Sequence, residues 1–466
     1  MPPPGARPSE PSSFRAPLIL FWTGLLVRVL YITFALTYRF SPFEDHFTFG
    51  YEMARIARAL VTGYGYADPF SGHTGPTAWI PPLYPLLIAA VFKLAGIYTP
   101  LSAWILLTLN SVFSAATSLC VYEIAARCYS RSDFKRRPDS RHSVALWSAW
   151  IWALYPAAMQ YAVRWVWETS LSTFLFAAVL VLALRMRAIG EPANTSGRGP
   201  HGQVFVRGVG STRRWLLFGF LWALIALSNS TMLLFLPVCG IWILIGSPQK
   251  SAALTRATLA GLLFIACITP WIYRNWRAFH AFIPMRSNFG AELYAGNGPG
   301  AYGFRYGVLI GLPEQDIQHR LYVRYGELAY VHQRGQLAKA WIRANPGHFV
   351  ALTLKRFYFF WASVPHPTGK HWFLDLIRQV NYCLPSITGL LGLILSLRRR
   401  IPAAGLFAWA FVLVPITYYI VTVEARFRHP LEPLIVILSV YLFQSATPRT
   451  RKIKSGAPRP DSGTWA

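Results

Sequence analysis

The sequence predicts an all-α polytopic membrane protein with about ten transmembrane helices. Of its 466 residues, 54% are hydrophobic and 14% are charged, whereas soluble domains usually carry about 25% charged residues. Apolar windows of roughly 20 residues follow one another, and each is long enough to cross a hydrocarbon core of about 30 Å. The net charge of +27 is better explained by basic loops beside membrane spans than by nucleic acid, and we expect no nucleic-acid partner.

Basic loops set the predicted topology. Residues 127–142 and 185–214 each hold six Lys or Arg, residues 398–400 are three arginines, and five basic residues follow residue 446. Because such loops remain in the cytoplasm, both termini are placed there, in a bacterial inner (plasma) membrane, with the first apolar helix retained. The predicted spans are 18–38, 101–126, 143–163, 166–184, 215–229, 231–246, 257–273, 380–397, 403–422 and 430–445.

The stretch PPLYPLLIAAVFKLAG at 81–96 is apolar but is not counted as a span. It is short and contains Pro85 and Lys93, and a crossing here would move the basic loop at 127–142 outside. We therefore predict a juxtamembrane helix at the outer surface. The resulting organisation is a cytoplasmic tail at 1–17, a membrane domain at 18–273 with a first outer loop at 39–100, a large outer loop at 274–379 with its own juxtamembrane helix, three C-terminal spans at 380–445, and a basic cytoplasmic tail at 446–466.

Acidic residues gather in the first outer loop. FEDHFTFGYE at 43–52 contains Glu44, Asp45 and Glu52. Residues 46–65 are predicted to form a helix that ends at Gly63, with Asp45 as its N-cap and Glu52 on the same face, about 10 Å along the axis at 1.5 Å per residue. That face could present two carboxylates to a substrate. Alternatively, Asp45 only caps the helix and Glu52 pairs with Arg55.

The order of these elements resembles the first outer loop of the GT-C glycosyltransferases, most of all the branch containing protein O-mannosyltransferases and the lipid A aminoarabinose transferase. The segments that carry the resemblance are Tyr51-Glu52-x-x-Arg55-Ile56-Ala57-Arg58, Gly63-x-Gly65-Tyr66, Pro81-Pro82-Leu83-Tyr84-Pro85, and VEARFRHPLEPL at 423–434, which is similar to an Arg-aromatic-x-x-Pro-Leu motif before a late span. One departure stands out, because the positions of the branch's usual acidic pair hold Phe49 and Gly50. The acids lie upstream or downstream, and Asp45 is favoured over Glu52.

The resemblance implies transfer of a sugar from a polyprenyl-phosphate donor to an acceptor hydroxyl on the periplasmic face. A carboxylate would take the hydroxyl proton, and arginines would bind the departing phosphate. The sequence has no Gly-rich phosphate loop of the kind that binds nucleotides, which agrees with a donor carried by a lipid.

The candidate residues fall into three groups. The predicted catalytic residues are Asp45, Glu52 and Glu44. The predicted donor phosphate ligands are Arg426, Arg428, His429 and Arg286. The side chains that could line the site are Glu292, Trp79, Tyr84, Arg164 and Glu168, although Arg164 and Glu168 could instead form a salt bridge at a helix end. No cofactor is certain, but two nearby carboxylates could hold Mg²⁺ or Mn²⁺.

Two other functions remain open at this level. A lipid or glycan transporter or flippase would need charged residues deep within several spans, and the sequence offers mainly Arg28. An O-antigen ligase or polymerase would have its large outer loop late in the chain without the early acidic loop. The partners expected for a transferase are the lipid-linked donor, membrane lipid and a glycan, lipid or protein acceptor. The sequence specifies neither the sugar, hexose or pentose, nor the acceptor.

Overall fold

The computed structural model describes residues 15–40, 47–129, 141–191, 196–198, 204–206, 210–303, 316–364 and 372–445. Glu44 and Asp45 lie outside these residues. The described chain is built of helices, with one antiparallel pair of short strands, β1 (Ser196–Arg198) and β2 (Val204–Val206). The α-helices are α1 (Arg15–Phe34), α2 (Glu52–Val61), α3 (Leu83–Ala95), α4 (Pro100–Tyr129), α5 (Arg141–Leu154), α6 (Pro156–Val163), α7 (Thr169–Met186), α8 (Thr212–Ala226), α9 (Leu236–Ile245), α10 (Lys250–Phe279), α11 (Phe289–Asn297), α12 (Ile317–Tyr325), α13 (Glu327–Ala344), α14 (Pro346–Ala362), α15 (Trp372–Arg398), α16 (Ala404–Leu413), α17 (Ile416–Ile420) and α18 (Glu432–Ser445). Three 3-10 helices accompany them, at Phe47–Phe49, Ser230–Phe235 and Ala425–Leu431.

Apolar helices coincide with all the windows predicted as spans. In the described chain, five helical segments are by themselves long and apolar enough to cross a membrane: Pro17–Phe34, Pro100–Tyr129, Thr169–Met186, Lys250–Phe279 and Asp375–Arg398. Other windows contain shorter apolar helices, and the 143–163 window is broken between α5 and α6, where Pro156 begins the second helix. The molecule is therefore a multi-pass membrane protein, and the number of spans stays a prediction.

The membrane helices assemble around α4, which contacts α1, α5 and α7. Elsewhere α8 packs along α10, and α15 packs along α18. In the latter pair the backbones approach closely, since a Cβ added at Gly392 would stand 2.1 Å from the carbonyl oxygen of Leu438. Small residues at helix contacts are a common basis of association in membranes, where lipid removes the hydrophobic drive.

The outer segments are also helical. α3 is about 20 Å long at 1.5 Å per residue, which is as short as several helices in the predicted spans, so its juxtamembrane position stays a prediction. The large outer loop contains α11 to α14, and α14 covers the predicted amphipathic stretch. α10 runs to Phe279 and α15 begins at Trp372, so helices extend into both ends of the predicted loop.

The predicted helix over residues 46–65 is wrong at its start. α2 begins only at Glu52, and its N-cap position is Tyr51, which adopts a φ of 38°. Asp45 is therefore not the cap of this helix, and it does not share a face of α2 with Glu52. The end is close to the prediction, because α2 stops at Val61 and Gly63 follows with a φ of 91°.

The buried carboxylate of Glu327 joins the two outer loops. It accepts hydrogen bonds from Thr77 Oγ1 at 2.5 Å, Ala78 N at 2.7 Å and Ser287 Oγ at 2.6 Å. Tyr322 OH is a fourth donor, at 2.8 Å. A carboxylate that accepts this many hydrogen bonds is well satisfied in a buried position. Glu327 consequently fixes the 77–80 segment against the loop that carries Arg286.

Candidate active site

The core of the site is the contact between the loop at 47–51 and the turn at 164–168, which leads into α7. Val166 N donates to Thr48 O at 2.9 Å. Gly50 has a φ of +85°, and a Cβ there would stand 2.3 Å from Val166 O. Only glycine suits both the left-handed backbone and this close approach. The loop therefore brings the start of α2, with Glu52, towards Glu168.

Three charged side chains act on the Glu168 carboxyl. Its side chain is half-buried, and its Oε2 atom is shielded from solvent and has no hydrogen-bond partner among the described residues. Burial raises the pKa of the Glu168 carboxyl. The guanidinium groups of Arg426 and Arg286 oppose that rise in pKa, and the Glu52 carboxylate adds to it. Charges from the first outer loop, the large outer loop and the segment before α18 thus act together on one carboxylate.

Arg426 is held in place by an aromatic ring and an acid. Its guanidinium carbon lies 3.7 Å from the centroid of the Trp167 ring, a close cation–π contact. Its Nε is 2.6 Å from Glu424 Oε2. Nη1 is buried and lacks a hydrogen-bond partner in the described structure. Arg426 is therefore oriented by the protein and still has a donor to offer.

Arg286 is positioned by the first outer loop. Its Nε donates to Trp79 O at 3.3 Å, and the next residue, Ser287, donates its backbone N–H to Ala78 O at 3.0 Å. The Trp79 side chain, predicted to line the site, is buried against Phe70 and Tyr322. It is the backbone carbonyl of Trp79 that contacts the predicted phosphate ligand.

Two hydrogen bonds link α3 and α4 to the turn at 164–168. Tyr84 OH donates to Asn110 Oδ1 at 2.9 Å, and Asn110 Nδ2 donates to Trp165 O at 3.1 Å. Tyr84 belongs to α3 and Asn110 to α4, so this chain connects the juxtamembrane helix to the turn that holds Glu168. The sequence analysis missed Trp167 and Asn110. A polar residue inside an apolar span is unusual, and this signal could have drawn attention to Asn110.

Two of the predicted phosphate ligands have other partners. Arg428 is fully buried and its Nη2 lies 2.6 Å from Glu432 Oε1, while its Nη1 donates to the carbonyl oxygens of Trp361 and Tyr382. His429 is also buried and stacks on Trp152. Burial lowers the pKa of His429 to about 3, so the ring is neutral at physiological pH. In this structure Arg428 is paired with an acid and both side chains pack in the segment before α18, so their role as phosphate ligands stays a prediction.

Two of the predicted lining residues also have hydrogen-bond partners of their own. Arg164 is exposed and its Nη2 donates to Tyr31 OH at 3.0 Å, so the alternative salt bridge to Glu168 is not formed. Glu292 accepts a hydrogen bond from Asn288 Nδ2 at 3.3 Å, one turn away at the start of α11.

The described residues do not form a metal centre. No group of three or more His, Cys, Asp and Glu side chains that could hold an ion occurs among them. Glu52 and Glu168 supply two carboxylates, and the charges that accompany them are arginines, which disfavour a cation.

No protein-family model matches the chain, and no curated protein matches it. Several solved structures do match the chain. The oligosaccharyltransferase of Archaeoglobus fulgidus in its apo form superposes with a TM-score of 0.52 at 12% identity, covering 93% of this chain and 51% of that chain. The same enzyme tethered to an acceptor peptide gives a TM-score of 0.51 at 10% identity, covering 93% and 50%. ArnT from Cupriavidus metallidurans is matched at a TM-score of 0.35 and 13% identity, covering 92% and 78%.

The two archaeal superpositions define the class of fold. The chain has a GT-C-type membrane fold, as the sequence resemblance implies. It spans about half the length of these archaeal structures. At this level of identity the likeness concerns the fold, and activity has to be argued from the site.

Proposed function

We propose that the protein is an integral-membrane glycosyltransferase that moves a sugar from a polyprenyl-phosphate donor to an acceptor hydroxyl on the periplasmic face. The observation that carries this proposal is that the charges of Glu52, Arg286 and Arg426 all act on the Glu168 carboxyl. The fold agrees with it, since the archaeal structures are of an oligosaccharyltransferase, one of them tethered to an acceptor peptide.

Glu168 is the proposed general base. Its buried Oε2 is free to accept a proton, and its pKa is raised by burial, which makes a carboxylate a better base near neutral pH. In this scheme the acceptor oxygen forms a bond to the anomeric carbon, its proton passes to Glu168, and the bond from that carbon to the phosphate oxygen breaks. Glu52 is the second carboxylate beside it. Asp45 and Glu44, outside the described residues, stay predictions for the same role.

Arg426 and Arg286 are the proposed phosphate ligands. A departing polyprenyl phosphate gains negative charge in the transition state, and guanidinium groups fixed beforehand stabilise that charge. Trp167 under Arg426 and the Trp79 carbonyl at Arg286 supply this orientation.

Transfer of labelled sugar from a polyprenyl-phosphate donor, measured with purified protein in bilayers, tests the proposal. Glu168→Gln should lower transfer by roughly 10²–10⁴, the usual contribution of a general base, and Arg426→Gln should lower it too. Glu123→Gln is the matched control, because it changes a half-buried glutamate of α4 whose partners are Arg127 and Arg185. If both variants transfer sugar like the wild type, the assigned site is wrong.

The transporter alternative gains no support from Arg28. Arg28 Nη1 donates to Ala153 O at 2.7 Å and Gly24 O at 2.9 Å, which ties α1 to α5. Two results together would favour that alternative. The wild type would transfer no sugar, and the Glu168→Gln variant would move glycolipid across liposome membranes at the wild-type rate.

A further inference from the structure

An open cavity lies between the turn at 68–76 and α12. Its volume is about 370 Å³, within the range of small-molecule sites, about 300–1,000 Å³. Its polar lining is Ser71, His73, His319, Arg320 and Arg324. None of these residues belongs to the site around Glu168.

One wall of the cavity is held by a buried acid. Asp68 has a φ of 57° and is 2% exposed, and its Oδ1 accepts hydrogen bonds from the backbone N–H groups of Thr74 at 2.8 Å and Gly75 at 3.0 Å. Its Oδ2 is 2.9 Å from His73 Nδ1. The His73 ring also lies against Tyr64, with the ring centroids 4.3 Å apart. The imidazole is thus fixed while remaining largely exposed at the cavity.

The opposite wall carries two arginines that repel each other. Arg320 and Arg324 are exposed and stand four residues apart on α12, so they share one face of the helix. His319, beside them, contacts Ser71 O through Nε2 at 2.8 Å, which joins the two walls. Among the described residues that line the cavity there is no acid, and the Asp68 carboxylate behind His73 already accepts hydrogen bonds from two backbone N–H groups and contacts that imidazole. Two like charges facing a cavity whose nearby acid is occupied in this way favour an anion there.

The surroundings have the same sign. The exposed lysines and arginines of α12 to α14 are Arg320, Arg324, Lys339, Arg343 and Lys355. In the described segment 316–364 the acids are Asp316, which caps α12, and the buried Glu327. This surface would attract a polyanion to the cavity.

We propose that this cavity binds a phosphate or carboxylate group on the acceptor glycan and holds the acceptor beside the reacting site. The inference rests on the proposed glycosyltransferase function, and it adds that the acceptor carries a negative charge. The chain from the cavity turn continues through 77–79 to the carbonyl that contacts Arg286, so the two sites share one rigid segment.

Binding of glucose 1-phosphate to the full chain in phosphatidylcholine nanodiscs tests the cavity, with neutral methyl glucoside as the comparison. We expect the phosphate sugar alone to bind. Replacing both arginines (Arg320→Gln with Arg324→Gln) should weaken binding at least about tenfold, the effect of losing charge-assisted hydrogen bonds. The matched control is Lys339→Gln with Arg343→Gln, which removes the same charge outside the cavity and should change the affinity less than about twofold. Equal losses in the two double variants, or no binding to the wild type, would overturn the proposal.

Three further arms separate the possible occupants and the two proposals. Phosphatidylglycerol added to the nanodiscs should leave glucose 1-phosphate binding intact, and its loss would assign the cavity to a lipid headgroup instead. Glu168→Gln and Arg426→Gln should retain the binding, and its loss would show that the probe occupies the reacting site. The Arg320/Arg324 double variant should still release sugar from the donor to water, so failure of the cavity proposal is distinguishable from failure of the transferase proposal.

Discussion

Glu168 shows how a single carboxylate is set by its neighbours. Burial raises its pKa, while Arg426 and Arg286 hold that rise in check. As a base, Glu168 works only when ionised, so activity should fall as the pH drops through its pKa. Removing a nearby cation disfavours the ionised form and raises the pKa further.

The first prediction concerns this acid limb. Arg286→Gln should move the acid limb of the kcat/KM profile to higher pH, because the Glu168 carboxyl loses a cation that lowers its pKa. The measurement is sugar transfer between pH 4 and 8, with Lys339→Gln as the control for a distant outer-loop cation. An acid limb that stays in place would remove Glu168 from the base role.

Gly50 gives a second prediction at the same scale. Gly50→Ala should lower transfer strongly, because its Cβ would collide with Val166 O and push the 47–51 loop away from the Glu168 turn. Gly63→Ala is the matched control, since Gly63 also has a positive φ of +91° but nothing within 4 Å of an added Cβ. Both carry backbone strain on the order of 1–3 kcal/mol, so the protein's melting temperature should fall in both and transfer mainly in the first. Equal activity of the two variants would mean that the contact does not serve the site.

Individual site residues were only partly accessible from sequence. Arg286, Arg426 and Glu52 were singled out from the sequence, and in the structure the charges of all three act on the Glu168 carboxyl. Glu168 was taken as a lining residue or half of a salt bridge, because spacing along the chain suggested Arg164 as its partner. Which charge faces Glu168 depends on the close approach at Gly50, and nothing in a linear pattern reports an approach between segments more than a hundred residues apart.

Among the helices, the contact of α15 with α18 gives a third prediction. Gly392→Ala should destabilise the protein, by about 1–3 kcal/mol as for other overpacked contacts, because the new Cβ would meet Leu438 O at 2.1 Å. Gly261→Ala, within α10 and open to space, should instead be neutral or stabilising by roughly 0.5–1 kcal/mol. Thermal unfolding in detergent separates the two, and a neutral Gly392→Ala would show that the helices part easily.

The sequence predicts the positions of most helices well, but it predicts their ends less accurately. Apolar windows locate a helix well, because lipid leaves the backbone few alternatives. The start of α2 was misplaced by the assumption that Asp45 would cap it. Instead the chain makes a 3-10 turn at Phe47–Phe49 and a left-handed step through Gly50 and Tyr51 before the helix begins. These steps serve the contact with the Glu168 turn, which is a tertiary requirement.

At the scale of the whole molecule, the predicted topology can be tested directly. A cysteine at the exposed His332 of α13 should react with a membrane-impermeant thiol reagent added to spheroplasts, because the large outer loop is predicted to face the periplasm. A cysteine at the exposed Ser251, in a loop predicted to be cytoplasmic, should react only after permeabilisation. The reverse pattern would place the candidate site on the cytoplasmic side and contradict a polyprenyl-phosphate donor.

The Glu327 carboxylate has a consequence for how such a protein can diversify. Its four donors come from the first outer loop, the segment after α10 and the end of α12. In a chimera that takes one outer loop from a relative, Glu327 would lose some of its hydrogen-bond donors. Recombination within the fold should therefore exchange these segments as a single inherited block.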